Sequence, residues 1–316
     1  MPYPIDKKIV IAVSSSALFN MLESDSIFRA QGIEAYRKYQ QKNLNVPLEK
    51  GVAFPFIKRL LSLNGPFAEK PIEVVLLSKN SPETGLRTFR SIQHYGLDIS
   101  RAYFSSGKSN FQYLPAFNAS LFLSANKEDT KKAVECGFAA GTVLNTEVID
   151  DESDYGLRIA FDFDGVIADD SSESYYKEVG VLDDYLTHEK LLANNPLSDG
   201  PISKLLQHIS RFQRLELSYA EKDPQYKRIL STAIVTARNA PAHERVVTTL
   251  KSMNVEVDDV FFLGGIDKSR VLKILKPHIF FDDQMGHLQN LGAIPAVHIP
   301  FGVANYISAD KDEQKS

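Results

Sequence analysis

The feature that most constrains the fold of this chain is a repeated local order: a short apolar run, then small or polar residues, then a helical pattern. The second half contains this order four times, in residues 157–161 before Asp162, 232–235 before Thr236, 260–263 before Gly264 and 277–281 before Asp282. Strands that alternate with helices are typical of a parallel, doubly wound α/β sheet, whose ligands bind at the carboxyl ends of the strands. We therefore expect functional side chains directly after each apolar run.

The first half follows the same order with different polar residues. Residues 8–13 precede Ser14, 74–77 precede Ser78, 101–104 precede Lys108 and 119–123 precede Ser124. This self-similarity predicts an internal duplication, with a degenerate unit in residues 1–150 that lacks catalytic acids and a catalytic unit in residues 151–316. An acidic connector near residues 145–156 marks the boundary. The pattern leaves open whether the two units share one continuous sheet.

Composition and charge narrow the class of protein. The chain has 316 residues, 43% hydrophobic and 24% charged, which suits one large or two medium-sized globular units. Its apolar runs are much shorter than the roughly 20 residues that span a bilayer, and the N-terminus has no apolar signal segment, so we expect a cytoplasmic protein without a membrane partner. A formal net charge of −4 argues against a nucleic-acid partner. A homo-oligomer is left open.

Cysteine and histidine give little indication of a metal site. The single cysteine, Cys136, excludes an internal disulfide, and we expect it to be a small buried residue. The seven histidines lack the spacing of a zinc site, so we interpret each as structural or solvated.

Two aspartates define the candidate chemistry. Asp162 and Asp164 are two residues apart after an apolar strand, so their carboxylates face one site. Because adjacent carboxylates repel, the pair favours a hard cation such as Mg²⁺. Asp162 is the candidate nucleophile, Asp164 the candidate general acid and base, and Gly165 allows backbone amides to approach a phosphate.

Three further elements follow in the order that phosphate chemistry would use. Thr236 offers a hydroxyl and neighbouring amides, Lys268 a positive charge, and Asp282 with Asp283 further carboxylates. Each also has a structural interpretation, respectively a helix N-cap, a solvated lysine and a helix-start pair. Only their joint occurrence in this order favours a catalytic site.

These elements carry a resemblance to a known family. The motifs DFDGV at 162–166, IVT at 234–236, Lys268 and FFDD at 280–283 are similar to the four motifs of the haloacid dehalogenase (HAD-like) superfamily of phosphotransferases. The longer strings TARNAPAHERV at 236–246, FFLGGIDK at 261–268 and IFFDDQ at 279–284 resemble the cytosolic 5′-nucleotidase I family. The likeness extends into the first half, at 12–19 and 77–81.

The resemblance implies a Mg²⁺-dependent hydrolysis of nucleoside 5′-monophosphates through an aspartyl-phosphate. It implies that the metal is held by Asp162, the carbonyl of Asp164 and Asp283, with Asp282 orienting Asp283. The neighbouring residues expected to bind substrate are Phe163, Gly165, Ala237 and Arg238.

The resemblance also implies a helical cap within residues 167–227, between the Asp162 strand and the Thr236 strand. Its candidates for stacking on a base are Tyr175, Tyr176, Phe212 and Tyr219, each of which has a core role as the alternative. Two other functions stay open at this stage: a phosphatase for another small phosphomonoester, and a non-catalytic nucleotide sensor.

Overall fold

The computed structural model describes residues 3–306. Within them the chain forms twelve strands, which run Ile9–Val13 (β1), Phe19–Asn20 (β2), Glu49–Lys50 (β3), Ile72–Ser78 (β4), Arg101–Phe104 (β5), Ala119–Ser124 (β6), Ala140–Val143 (β7), Leu157–Phe161 (β8), Leu230–Thr236 (β9), Asp259–Phe262 (β10), Ile279–Asp282 (β11) and Ala296–His298 (β12).

Helices separate most of these strands. The α-helices of the described residues are Ser15–Leu18 (α1), Leu22–Lys42 (α2), Phe54–Ser62 (α3), Pro82–His94 (α4), Lys127–Glu135 (α5), Ser171–Val179 (α6), Leu182–Leu191 (α7), Ser203–Ala220 (α8), His243–Ser252 (α9), Lys268–Leu275 (α10), Met285–Leu288 (α11) and Val303–Tyr306 (α12). Short 3₁₀ turns cover Ile5–Lys7, Phe111–Tyr113 and Pro115–Phe117.

Ten of the described strands form one continuous sheet in the order β10-β9-β8-β11-β12-β7-β6-β1-β4-β5. All neighbours in this sheet are parallel except β12 and β7, which pair antiparallel through Val297 with Val143 and His298 with Thr142. The predicted doubly wound, mostly parallel α/β sheet is therefore confirmed. The question that the sequence left open is also answered, because both halves belong to one sheet.

The two halves of the sheet have the same internal strand order. From the outer edge inward, the first half runs β5-β4-β1-β6-β7 and the second runs β10-β9-β8-β11-β12. Each half also contains a glycine that packs closely against the segment following the first strand of that half. A Cβ added at Gly51 would lie 2.7 Å from Phe19 N, and one added at Gly200 would lie 2.4 Å from Ala168 O. The origin of this likeness in a duplication stays a prediction.

The antiparallel contact at the centre has a geometric consequence. In a parallel set of strands all carboxyl ends lie at one edge of the sheet. Since β7 and β12 run in opposite directions, the carboxyl ends of the first half lie at the edge opposite to those of the second half. Any ligand site at the end of the first-half strands is thus separate from the one at the end of the second-half strands.

The largest of three apolar clusters contains residues of both halves. Helix α8 contributes Leu205, Ile209 and Phe212, which are buried together with strand residues such as Ile11 and Ile159. The segment between β7 and β8 is irregular and is held by the buried Arg59, whose Nη1 lies 2.7 Å from Asp150 Oδ1. No described helix is long and apolar enough to cross a membrane.

Cys136 is exposed, which contradicts the expectation that it is buried. It is the C-cap of α5 and follows directly after Glu135, at the end of the helix.

Three helices lie between β8 and β9, the interval in which a cap is expected. Helices α6 and α7 contact each other, and α7 packs against α9. Helix α8 instead packs on the sheet with its apolar face. Only α6 and α7 are therefore placed to cover the ends of the second-half strands.

Candidate active site

The sheet order brings three of the predicted polar strand ends together. Strands β9, β8 and β11 are neighbours, with Phe161 opposite both Ile234 and Phe281. The residue that follows Phe161 is Asp162, whose amide donates to the Phe281 carbonyl at 2.8 Å. Asp162, Thr236 and Asp282 consequently end three adjacent strands at one edge.

A buried lysine links two of these carboxylates. Lys268 is the first residue of α10, and its Nζ lies 2.6 Å from Asp162 Oδ2 and 2.7 Å from Asp282 Oδ2. Asp267, the N-cap of this helix, accepts from the Ser269 amide at 2.8 Å and so fixes the start of the helix. The Asp162 carboxylate also accepts from the Phe163 amide at 2.7 Å. The site thus holds Asp162 in one orientation.

The ion pairs in this cluster counteract the effect of burial. Burial raises the pKa of Asp162, and Lys268 opposes that rise. Burial alone would lower the pKa of Lys268, but Asp162 and Asp282 together raise it above its usual range. Burial would likewise raise the pKa of Asp282, whereas Lys268 and His287 bring it below its usual value. Lys268 therefore stays protonated at neutral pH and keeps Asp282 ionised.

Asp283 forms no ion pair with any cation among the described residues. Its side chain is buried, and neither carboxylate oxygen has a hydrogen-bond partner. Burial together with the nearby Asp162, Asp282 and Glu173 carboxylates raises the pKa of Asp283 to about 10. A buried carboxylate in this state requires either a proton or a positive ion.

Gly165 makes room for this carboxylate. Its φ is +71°, and a Cβ added there would lie 2.7 Å from Asp283 Oδ2. Only glycine combines this backbone conformation with so close an approach. The Asp283 carboxylate is thus held directly against the loop that carries Asp162.

The residues present fit a hard metal ion. Asp162, Asp282 and His287 each offer a ligand atom, and these atoms all lie within 4.8 Å of one another. Asp282, however, already has Lys268 as its counter-ion, whereas Asp283 has unpaired oxygens aimed at the Asp162 loop. Oxygen donors from carboxylates are the ligands of Mg²⁺-type cations. On the grounds of charge we assign the greater need for a cation to Asp283.

Asp164 occupies a different environment from Asp162. Both of its oxygens are held by Arg238, with Nε 2.7 Å from Oδ2 and Nη2 2.6 Å from Oδ1. The Arg238 side chain is only 2% exposed. Asp164 therefore accepts hydrogen bonds from a fixed guanidinium, and Arg238, which we predicted to bind substrate, is committed to this carboxylate.

The other side of Arg238 contacts the helical insert. Its Nη1 is hydrogen-bonded to Glu189, a fully buried residue of α7, whose second oxygen lies 2.8 Å from Arg245 Nη1 on α9. Sequence reasoning missed Glu189 and Arg245. The local sequence does not indicate these contacts, because Glu189 lies within a charged helical stretch that predicts a solvent-exposed helix.

Thr236 and Ala237 lie where they were predicted, at the end of β9. Thr236 is buried, and its hydroxyl accepts from the Arg238 amide at 3.2 Å. Ala237 is exposed and lines a cavity of about 230 Å³ together with Gly265, Lys268 and His287. Phe163 is fully buried, with the Arg238 guanidinium 5.4 Å from its ring centroid, so the contact of Phe163 with substrate is limited to its backbone.

His287 contacts one of the carboxylates of the site. Its Nδ1 lies 3.1 Å from Asp282 Oδ2, which places an imidazole in the carboxylate cluster. The sequence signal is its position four residues after Asp283, at the first turn of a helix. Such a spacing becomes informative only when the strand end is known.

The four candidate aromatic residues divide into two pairs. Phe212 and Tyr219 of α8 pack on Phe67, with ring centroids 5.6 and 5.4 Å away, and so belong to the core rather than to a base site. Tyr175 stacks on His188 at 3.8 Å, and Tyr176 contacts Tyr185 at 5.3 Å. These two remain in the part of the insert that can cover the strand ends.

Comparison with known proteins agrees with this geometry. The chain belongs to the 5′-nucleotidase family, whose model matches residues 1–306. It is similar to the cytosolic 5′-nucleotidase 1B of Homo sapiens, with 36% identity over 307 residues that cover 93% of this chain and 50% of that protein. The chain thus spans about half the length of this curated relative. No solved structure matches the chain. The predicted family is confirmed.

Proposed function

We propose that the protein is a phosphomonoesterase that hydrolyses nucleoside 5′-monophosphates to nucleoside and phosphate. The observation that carries this proposal is the pairing of Asp162 with Lys268 at 2.6 Å beside an unpaired, buried Asp283. One carboxylate is oriented and charge-balanced for attack, while the other is ionised at neutral pH only when a cation neutralises it. Membership in the 5′-nucleotidase family and the name of the human relative support the substrate class.

Asp162 is the proposed nucleophile. One of its oxygens attacks phosphorus, the bond from phosphorus to the 5′-oxygen breaks, and an aspartyl-phosphate forms. Lys268 keeps the attacking carboxylate in place and balances its charge. The amides around Thr236 and Ala237, beside the 230 Å³ cavity, are placed to bind the phosphate oxygens.

Asp164 is the proposed acid and base. It gives a proton to the departing 5′-oxygen, and it later removes a proton from the water that attacks the aspartyl-phosphate, which restores Asp162 and releases phosphate. Arg238 donates one hydrogen bond to each Asp164 oxygen, and each oxygen keeps a second lone pair for the transferred proton.

Mg²⁺ is the proposed cofactor, held by Asp162, the Asp164 carbonyl and Asp283. When bound, it neutralises the phosphate and the carboxylates that face it. His287 and Asp282 lie close enough to support this site. A cytoplasmic location follows as a proposal from the name of the human relative.

The units of the chain are also part of the proposal. We assign catalysis to residues 151–316 and a non-catalytic role to residues 1–150. The sheet supports this division, because the strand ends of the first half carry Ser14, Ser78 and Ser124, and serine cannot replace a metal-binding carboxylate.

A phosphate-release screen tests the function. Purified protein would be incubated with nucleoside 5′-monophosphates, nucleoside 3′-monophosphates and ribose 5-phosphate, with Mg²⁺ or with a chelator. We expect release from the 5′-monophosphates only in the presence of Mg²⁺. Equal release from ribose 5-phosphate would favour a general small-molecule phosphatase, and no release from any compound would favour a nucleotide sensor.

A further inference from the structure

A second cavity lies at the opposite edge of the sheet, at the carboxyl ends of the first-half strands. It has a volume of about 640 Å³ and is lined by the loops that follow β1, β4 and β6. Because β7 and β12 are antiparallel, this cavity and Asp162 lie at opposite ends of the strands. It occupies the place in the first half that the candidate active site occupies in the second.

The floor of the cavity is polar, and the cations that line it, Arg29, Arg37 and Lys79, outnumber the carboxylates of Asp25 and Asp129. Helices α4 and α5 both begin at the cavity, and their N-cap residues, Ser81 and Asn126, line it. Helix N-termini favour anions. Lys79 also lines the cavity, and its Nζ lies 2.8 Å from Asp129 Oδ1, which holds the lysine beside the α5 N-terminus.

Two buried amide atoms at the cavity lack partners. Asn110 is 1% exposed, and its Oδ1 has no hydrogen-bond partner. The Oδ1 of Asn80 accepts from the Tyr36 hydroxyl at 2.7 Å, while its Nδ2 has no partner. A buried polar atom without a partner is costly, so a ligand that offers both a donor and an acceptor is favoured here.

One wall of the cavity is apolar and comes from α2. This helix is broken at Gly32, where φ is +78°, and it presents Phe28 and Ile33 to the cavity. These two side chains are 48% and 50% exposed. Arg29 of the same helix also lines the cavity. Large apolar side chains at the mouth of a polar cavity are typical of a site for a ligand with one apolar and one charged end.

We propose that this cavity binds an organic phosphate, with the phosphate between Lys79 and the N-termini of α4 and α5 and with the organic part against Phe28 and Ile33. Asn80 donates to the ligand and Asn110 accepts from one of its hydroxyl or amino groups. The cation of the site is Lys79, since Lys108, the polar residue that follows β5, is exposed and does not line the cavity. The site is separate from the proposed catalytic site.

Hydrogen exchange measured by mass spectrometry locates the ligand on the full chain. The probes are adenosine 5′-monophosphate and ribose 5-phosphate, with adenosine and ribose as controls without phosphate. An Asp162→Asn background prevents turnover. We expect adenosine 5′-monophosphate to slow exchange in peptides that cover residues 14–16, 79–81 and 106–110, and adenosine to do so at least about tenfold more weakly, since a charged hydrogen bond is lost.

Substitutions then test the assigned contacts. Lys79→Met should weaken this protection by about tenfold, whereas Lys70→Met, at an exposed lysine paired with Asp98 elsewhere, should not change it. Arg29→Met, on the exposed face of α2, gives a second test should Lys79→Met fail to fold. The proposal is overturned when protection is confined to residues 162–165 and 236–238, or when neither Lys79→Met nor Arg29→Met changes it. This test is independent of the proposed catalytic function. Even if the protein hydrolysed no phosphomonoester, protection at the first-half cavity could still be measured, because the two sites are formed by different segments.

Discussion

The guanidinium of Arg238 holds both carboxylate oxygens of Asp164, at 2.7 and 2.6 Å, and its remaining nitrogen holds Glu189 of the helical insert. Arg238 therefore joins the nucleophile loop to α7 through a buried network of charges. Bidentate pairs of this type are the strong class of charge-assisted hydrogen bonds. The orientation of the proposed general acid is thus set by a residue from another strand and by the insert.

Arg238→Met should destabilise the fold. It would leave the buried Glu189 carboxylate with Arg245 alone and Asp164 without a partner, and breaking a buried pair costs about 3–5 kcal/mol. Urea unfolding of the purified variant measures this loss. Arg37→Met, which removes an exposed pair with Glu34, is the matched control and should cost under about 1 kcal/mol. Equal stability of the two variants would contradict the proposed network.

Asp162→Asn should abolish phosphate release and preserve the fold. An amide of nearly the same volume cannot attack phosphorus, so we expect a loss of at least about 10³-fold. The rate with a nucleoside 5′-monophosphate and the far-UV spectrum would be measured together. Asp98→Asn, at an exposed aspartate, should behave as the unmodified protein. A folded Asp162→Asn variant that retains activity would remove Asp162 from its role.

Asp283→Asn should separate metal binding from folding. With its pKa raised to about 10, the buried Asp283 carboxyl is protonated at neutral pH when no metal is bound, so the substitution exchanges one neutral group for another and the metal-free variant should be about as stable as the unmodified protein. The unmodified protein should gain about 2.7 kcal/mol at a Mg²⁺ concentration of 100 times the Kd. Thermal unfolding with Mg²⁺ or a chelator shows whether the variant has lost this gain. An equal gain in both proteins would place the metal elsewhere.

Gly165→Ala tests the close contact between the loop and Asp283. Gly165 and Gly180 both have positive φ, +71° and +68°, so an alanine at either position costs about 1–3 kcal/mol in backbone strain. Only at Gly165 would the new Cβ meet a carboxylate, 2.7 Å from Asp283 Oδ2, whereas nothing lies within 4 Å at Gly180. We expect both variants to lose stability and only Gly165→Ala to lose most of its activity. Comparable activity in the two variants would show that Asp283 can move without consequence.

His278 should make the fold sensitive to mild acid. Burial, with Arg59 and Arg158 nearby, lowers the pKa of His278 to about 4, against the opposing effect of Asp154 and Asp150. Its Nδ1 accepts from the Arg158 amide at 3.0 Å, as a neutral ring does. Because an unfolded histidine has a pKa of about 6.5, unfolding takes up a proton between these two values. The stability that His278 contributes is therefore complete above about pH 6.5 and is lost as the pH falls toward 4.

His278→Asn keeps an acceptor near the Arg158 amide but cannot titrate. Urea unfolding of both proteins at pH 7, 6 and 5 compares how their free energies of unfolding depend on pH. The other titratable groups are the same in both proteins. The free energy of unfolding should fall less steeply in the variant. Parallel curves would show that His278 is not responsible.

Much of the site was predictable because its residues are specified locally. Asp162, Thr236 and Asp282 each follow a short apolar run, and the parallel alternation of strands and helices places such residues at one edge of a sheet. Lys268 was found by its place in that order. To predict that such residues lie together, only the direction of the strands has to be known, and the alternation of strands and helices already indicates it.

The pairing of side chains across the fold was not predictable. The prediction that Arg238 binds substrate is untested, but its contacts with Asp164 and with Glu189, which lies 49 residues away in the sequence, were not foreseen. His287 was predicted to be structural or solvated, and the sequence did not indicate that its partner is Asp282. Such contacts depend on how helices of the insert and the strand ends pack, and no periodic pattern encodes them.

The sequence by itself determined the class of fold, the family and the residues that end the second-half strands, because these follow from local alternation and from contiguous motifs. The tertiary structure alone decided that both halves share one sheet and that β7 and β12 run antiparallel, which places the two sets of strand ends on opposite edges. It also decided that Asp283 is buried without a partner while Asp282 has Lys268. The family resemblance assigned different roles to these adjacent aspartates, but only the positions of distant side chains and of solvent give their carboxyl groups different charges.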